Sequence, residues 1–172
     1  SALMNQGQGT QAPTDGAFLT IYSNFYTGIA RTNALLENMV RAKDVVPETK
    51  YNQIEAQALF IRAFHYMYLT ELWGDVPFLD KVIKTPEEGM IPREEKKVIV
   101  DRILADLEKA AEVLPYKWEG EPERITKGAV LGLHARISLY NGYYEKAAAS
   151  AKKIMDNEQA FGYKLHSNYG EL

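Results

Sequence analysis

Residues 52–78 read NQIEAQALFIRAFHYMYLTELWGDVPF, and this stretch predicts one long helix that ends in a turn. Apolar and aromatic side chains recur in it at spacings of three and four, which places them on common faces of a helix. The first such face carries Ile54, Ala58, Ile61, His65, Tyr68 and Leu72, and the second carries Ala56, Phe60, Ala63 and Met67. A helix that is apolar on two sides must be covered on two sides. The stretch therefore predicts neighbouring helices before and after it.

Gly74 is predicted to end this helix, because glycine accepts a positive φ without steric cost. Pro77 follows closely and would block a restart. The segment 74–92 (GDVPFLDKVIKTPEEGMIP) carries three prolines and two glycines. It is therefore predicted to be a connector between the second and third helices, with a short strand at 76–79.

The rest of the chain predicts four more helices and a polar leader. The helices span about 16–43, 94–114, 126–140 and 144–156, and the leader, predicted to be flexible, spans 1–15. The apolar face of the first helix is expected to point towards the core, and it carries Phe18, Ile21, Phe25, Ile29, Leu36 and Val40. The apolar face of the third helix is expected to point towards the core as well, and it carries Ile99, Ile103, Leu107, Ala110 and Leu114. Thr126 is the expected cap of the fourth helix, and Asn141-Gly142 signals the turn after it.

The hairpin 126–156 resembles a tetratricopeptide repeat in its small and aromatic positions. These positions are Ala135, Tyr140, Gly142, Tyr144, Ala147 and Ala151. Alanine on helix faces lets helix pairs stack closely and bury a shared core. The predicted fold class is therefore all-α, with tetratricopeptide-like helical hairpins packed as an α-solenoid.

Composition excludes several classes of function. A chain of 172 residues is long enough for one domain with a sizeable core. Its net charge of −3 gives no electrostatic case for binding nucleic acid or an anionic membrane surface. It contains no cysteine, which excludes disulfides, cysteine nucleophiles and thiolate metal sites. Residues 1–16 show no export signal.

The polar residues do not form a pattern typical of catalysis. His65, His134 and His166 lie in no metal-binding or nucleophile motif, so His65 and His134 are interpreted as core or boundary residues rather than metal ligands. The acidic pairs at 87–88, 94–95 and 119/121 lie in loops or at a helix start, where solvation explains them. We therefore predict a protein that is not an enzyme and has no catalytic residues, no metal and no cofactor.

Arg62 and Arg136 each interrupt an apolar helical stretch. A buried arginine needs an acidic partner, because an unpaired buried charge is costly. We predict a structural ion pair for Arg62, and the acids nearest to it in sequence are Glu55, Glu71 and Asp75. Recognition of an anion is the alternative.

Residues 55–77 resemble the signature of SusD-like (RagB/SusD) proteins, which are outer-membrane glycan-binding lipoproteins of Bacteroidetes nutrient-uptake systems. The matching residues are Glu55, Ala56, Phe60, Arg62, Ala63, Tyr66, Leu69, Trp73, Gly74, Asp75, Val76 and Pro77. Further matches lie in the other helices, at Tyr26, Ile29, Asn33, Asp106, Leu107, Ala110, Leu114, Pro115, Arg124, Thr126, Lys127, Gly128, Ala129, Leu133, Ala135, Arg136, Leu139, Tyr140 and Gly142. The resemblance covers nearly all of the chain after Gly16. Family members are much longer, so it implies that 16–172 is the helical N-terminal portion of a longer protein.

The resemblance implies a role at the cell surface. It implies capture of an oligosaccharide or polysaccharide and delivery to a TonB-dependent outer-membrane transporter (SusC-like). It also implies an outer-membrane location through a lipid anchor that this chain lacks. The helical portion would be mainly scaffold and transporter-contact surface, with Arg62, Glu55, Trp73, Gly74, Asp75 and Arg136 in structural roles and Trp73 buried. The alternative is a stand-alone tetratricopeptide adaptor that binds a peptide or protein partner.

No glycan-binding residue carries over by position, because the family's site draws on loops before the first helix and on the C-terminal portion. From the residues alone, the candidates are Trp118 and Tyr116, which lie in the polar loop 116–124. Trp118 has no evident core to join there, so it is the first candidate platform for a ligand or partner. Local packing within the loop is the other interpretation.

Overall fold

The computed structural model describes residues 16–163, 168 and 170. In these residues the secondary structure is helical, with α1 (Gly16–Met39), α2 (Glu48–Trp73), α3 (Lys96–Val113), α4 (Lys127–Tyr140), α5 (Tyr144–Asp156) and α6 (Glu158–Phe161). Single 3₁₀ turns lie at Val40–Ala42 and Glu87–Gly89. The described part of the chain contains no strand, which confirms the all-α class. The predicted leader 1–15 and His166 lie outside the described residues.

The helices pack on their neighbours along the chain, α1 on α2 and so on to α5. This order is typical of stacked helical hairpins, in which each element contacts mainly the next one. The predicted inward face of α3 is confirmed, because its five apolar side chains are at most 1% exposed. They form one hydrophobic core with side chains of α2 and α4. None of the described helices is long and apolar enough to cross a membrane.

The buried face of α2 differs from the first predicted stripe. Its buried side chains are Ala56, Ala58, Leu59, Arg62, Ala63, Tyr66, Met67, Leu69 and Thr70. Ile61 and Leu72 belong to the predicted stripe but are exposed. This buried face is partly polar, and its polar groups are hydrogen-bonded: the Thr70 hydroxyl, for example, donates to the Tyr66 carbonyl oxygen at 2.9 Å. The second predicted stripe is mostly buried.

Helix α1 is also less buried than its predicted face suggests. Ile29 is fully buried, but Phe18, Ile21 and Val40 are exposed. The ring of Tyr22 contacts that of Trp73, the last residue of α2. The residues of α1 before Tyr22 therefore extend beyond the end of the helix that could cover them.

The connector between α2 and α3 is held by side chains rather than by a strand. The predicted strand at 76–79 is wrong, because only an isolated bridge joins Val76 to Glu94. The Tyr26 hydroxyl donates to the Pro77 carbonyl oxygen at 2.7 Å, and the Asn33 amide donates to the Leu79 carbonyl oxygen at 2.9 Å. With backbone groups paired in this way, the segment needs no neighbouring strand.

The helix ends follow local signals. Gly74 has φ +71°, and its N–H donates to the Thr70 carbonyl oxygen, which ends α2 as predicted. The Thr126 hydroxyl accepts from the Ala129 N–H at 3.3 Å and caps α4. Asp75 accepts from the Lys96 N–H at 2.8 Å, so a residue beside the end of α2 caps the start of α3.

Candidate functional site

Arg62 lies in an ion pair within the core. Its guanidinium donates to the Asp106 carboxylate at 2.7 Å, and the two side chains are 10% and 13% exposed. A second nitrogen donates to the Asn33 side-chain oxygen at 3.3 Å. Asn33 in turn holds the connector, so the network joins α1, α2, α3 and the segment between them. Each of the two charges therefore has the partner that a buried ionised group requires.

The acidic partner of Arg62 is not one of the three acids nearest in sequence. Asp106 lies 44 residues away on α3, whereas Glu55 is exposed on another part of α2. Glu55 lies on the rim of a cavity of about 380 Å³ that also includes Arg62 and Asp106. Asp75 caps α3 instead of pairing with Arg62.

Two other residues with expected structural roles are more exposed than expected. Trp73 is half-buried rather than buried, and its ring packs edge-on against Tyr22 with 5.1 Å between the centroids. Arg136 is exposed, so it needs no buried acid. Its guanidinium lies 6.0 Å from the ring centre of Tyr68 and 5.6 Å from that of Tyr140. At these distances the contact is a cation–π interaction at the surface.

Trp118 joins a core that the sequence did not reveal. The indole packs against the hydrophobic core, and its N–H donates to the Ile125 carbonyl oxygen at 2.8 Å. The Arg124 guanidinium lies 3.8 Å from the ring centre and covers a ring face. The premise that made Trp118 the first candidate platform is therefore wrong, since the ring is engaged in local packing.

Tyr116 lies differently, on the wall of a groove formed by α3, α4 and α5. We call this cavity of about 550 Å³ the α3–α5 groove. Its lining residues come from α3, α4, α5 and α6 and from positions just after α3 and α5. They are Leu107, Glu108, Ala111, Glu112, Tyr116, Lys127, Leu131, His134, Lys146, Ala149, Ser150, Lys153, Asn157 and Phe161.

A hydrogen-bonded cluster closes one end of the α3–α5 groove. Lys146 donates to the Glu108 carboxylate at 2.9 Å, and this contact from α5 to α3 lowers the pKa of Glu108. The His134 Nε2 lies 3.4 Å from the same carboxylate, and its Nδ1 lies 2.9 Å from the Ser150 hydroxyl. Burial lowers the pKa of His134, so the ring is neutral at pH 7.

This cluster contains the residue types of a hydrolase triad, but its geometry is that of a packing element. Ser150 lies within α5 and is 4% exposed, so its hydroxyl is directed at His134 rather than presented to a substrate. In the tautomer in which a neutral His134 donates from Nε2 to Glu108, its Nδ1 accepts a hydrogen bond from the Ser150 hydroxyl, and all three groups have a partner. Sequence inspection missed this cluster because its members lie 16 and 26 residues apart. The described residues contain no group of acids and histidines able to hold a metal ion.

Aromatic rings form the opposite end of the α3–α5 groove. Tyr116 is 39% exposed, and its ring centre lies 4.8 Å from that of Phe161. The Lys127 ammonium group lies 5.0 Å from the Tyr116 ring centre. Of the two candidate aromatics in the loop, Tyr116 rather than Trp118 therefore lines the α3–α5 groove.

Comparison with known proteins assigns the family. Residues 1–139 match the SusD-like family described as "Starch-binding associating with outer membrane". SusD-like protein P2 of Formosa agariphila is 30% identical over 166 residues, which cover 95% of this chain and 32% of that relative. This chain belongs to the SusD-like family, and it spans about a third of the length of the curated relatives it matches.

Solved structures share the fold. A SusD superfamily protein from Bacteroides vulgatus superposes with a TM-score of 0.86 at 22% identity, over 96% of this chain and 35% of that one. A protein described as a laminarin-binding SusD-like protein superposes with a TM-score of 0.79 at 26% identity, over 88% of this chain and 33% of that one. The likeness to the first concerns the fold alone. Together they establish that the helical arrangement is that of SusD-like proteins.

Proposed function

We propose that this chain is the helical N-terminal part of a glycan-binding component of an outer-membrane nutrient-uptake system. The observation that carries the proposal is the family match over residues 1–139, combined with the shared helical fold. The similarity to a laminarin-binding protein supports a soluble glucan as the ligand class. The role is binding rather than catalysis.

Within such a protein, residues 16–172 serve mainly as scaffold and transporter-contact surface. The extended core and the Arg62–Asp106 network support the scaffold role, because they fix several helices relative to the connector. The partner is a TonB-dependent outer-membrane transporter of the SusC-like class. The location is the outer face of the outer membrane, through a lipid anchor.

The test is a binding experiment on the product of the longest reading frame that contains this chain. Affinity electrophoresis in gels containing laminarin or starch should retard that product, whereas gels without polysaccharide should not. Purification from detergent-solubilised outer membranes should recover a transporter with it. Unchanged mobility in every neutral polysaccharide would contradict the proposed function.

A stand-alone tetratricopeptide adaptor is the second candidate. The α3–α5 groove is the surface that it would use, because grooves between stacked helices can receive an extended peptide. An adaptor would retain a protein partner regardless of added glycan and would show no retardation in polysaccharide gels.

A further inference from the structure

We propose that the α3–α5 groove is a glycan subsite in its own right, which binds a short neutral oligosaccharide with Tyr116 as its aromatic platform. The inference rests on the proposed function and extends it, because it assigns ligand contact to a domain otherwise described as scaffold. It would supplement a principal glycan site located elsewhere in the longer protein.

The dimensions of the groove suit a small ligand. Its volume of about 550 Å³ falls within the range of roughly 300–1,000 Å³ that is usual for ligand pockets. Along α5 the lining runs from Lys146 to Lys153, which corresponds to about 10 Å at the rise of an α-helix, and Asn157 extends it just past the helix end. The groove is therefore an elongated site with a polar end and an aromatic end.

The polar groups of the groove suit a ligand covered with hydroxyls. Glu112 of α3 supplies acceptors on one wall and Lys153 of α5 supplies donors on the other, whereas Glu108 and Lys146 are already bonded to each other at the polar end. A sugar hydroxyl both donates and accepts, so it can bond to either wall. Opposite charges face each other across the groove, which disfavours a strongly charged ligand on either side.

The aromatic end completes the features of a sugar site. Tyr116 is 39% exposed and Lys127 lies over its ring, so a pyranose would rest on the part of the ring that stays exposed. Phe161 packs against the ring, which fixes its orientation before a ligand arrives. A preformed platform lowers the entropic cost of binding.

A peptide fits the groove less well. The apolar floor is formed by Leu107 and Leu131, which are 0% and 5% exposed. Their atoms are already covered by the protein, so the floor offers no deep apolar pocket for an anchoring side chain. Peptide recognition depends on such anchors.

The test is an NMR titration of the 172-residue chain with maltohexaose and cellohexaose, followed by calorimetry. We expect the resonances of Tyr116, Lys153 and Asn157 to shift in a saturable way with at least one of these sugars. Tyr116→Ala should weaken binding by about tenfold or more, the effect of removing a central aromatic contact. The matched control is Tyr144→Ala, because Tyr144 is 68% exposed and lies outside the groove, and its binding should stay within about twofold of the original.

A second variant distinguishes the loss of a sugar contact from a loss of binding caused by misfolding. Glu112→Gln keeps the shape of an exposed side chain and removes only its charge, so the helices should fold as before while sugar affinity falls. The inference is overturned if both sugars leave the groove resonances unchanged, if both groove variants bind normally, or if only an added peptide shifts these resonances. Retention of the longer product in polysaccharide gels, together with any of these results, would refute the groove site and leave the proposed function intact.

Discussion

Replacement of Arg62 by methionine tests the role of the buried network. Methionine keeps the apolar stem of the side chain but is shorter and removes the guanidinium. Asp106, which is 13% exposed, would then be left as an unpaired carboxylate in the core. The Asn33 side-chain oxygen would lose its donor as well.

The expected loss of stability follows from the burial of the pair. Breaking a buried ion pair by removing one partner costs about 3–5 kcal/mol. The slight exposure of both side chains permits some hydration, which favours the lower end of that range. For a chain of this size, a loss of about 3 kcal/mol lowers Tm by roughly 6–12 °C.

The assay is thermal unfolding by circular dichroism, with two comparison variants. The double variant Arg62→Met/Asp106→Leu should recover most of the lost stability, because no uncompensated charge remains. Arg136→Met is the matched control, since Arg136 is exposed and should cost at most about 1 kcal/mol. If Arg62→Met unfolds at the temperature of the original protein, or if the double variant is no better than the single one, the buried-pair reasoning is refuted.

Three further changes test other parts of the structure. Burial lowers the pKa of His134 in the folded protein, so below pH 6.5 the folded protein binds fewer protons than the unfolded chain, and its stability should fall as the pH drops from 6.5 towards the lowered pKa. Urea unfolding at several pH values should show a free energy of unfolding that depends less on pH in His134→Gln, and the same pH dependence in both proteins would contradict this. Gly28→Ala should lower the stability by about 1–3 kcal/mol, because a Cβ there would clash with the His65 ring. Gly132→Ala has open space around it and should raise the stability by about 0.5–1 kcal/mol, so equal melting temperatures for the two variants would refute the close approach of α1 and α2. Tyr66→Phe should cost about 1–3 kcal/mol, because the hydroxyl accepts a hydrogen bond from the partly buried Leu79 N–H of the connector at 2.6 Å. Hydrogen exchange should then accelerate in the connector, and unchanged exchange would count against its anchoring by Tyr66.

Local signals explain why several elements could be predicted from sequence. Helices α4 and α5 lie within a residue of their predicted bounds, because Thr126 and Asn141-Gly142 mark their ends. The apolar period of α3 is regular, so its five predicted inward residues are buried, although Val100 and Leu104 are buried beside them and were not predicted. Such features depend on residues close together in the chain.

Features that depend on tertiary contacts could not be predicted in this way. Arg62 was expected in an ion pair, but its partner Asp106 comes from a helix 44 residues further along the chain. The loop of Trp118 appeared polar, and only the folded chain shows that Arg124 and the core enclose the ring. The α3–α5 groove draws on four helices, so among its lining residues the sequence indicated only Tyr116 as a candidate for ligand contact.

Titration calorimetry with a soluble neutral polysaccharide tests the proposed role of the protein most directly. The measurement compares the product of the longest reading frame containing this chain with the 172-residue chain alone. Saturable binding by the longer product is predicted, with much weaker binding by the chain alone, because the helical domain is mainly scaffold. No binding by the longer product, or equal affinity for both, would contradict that account.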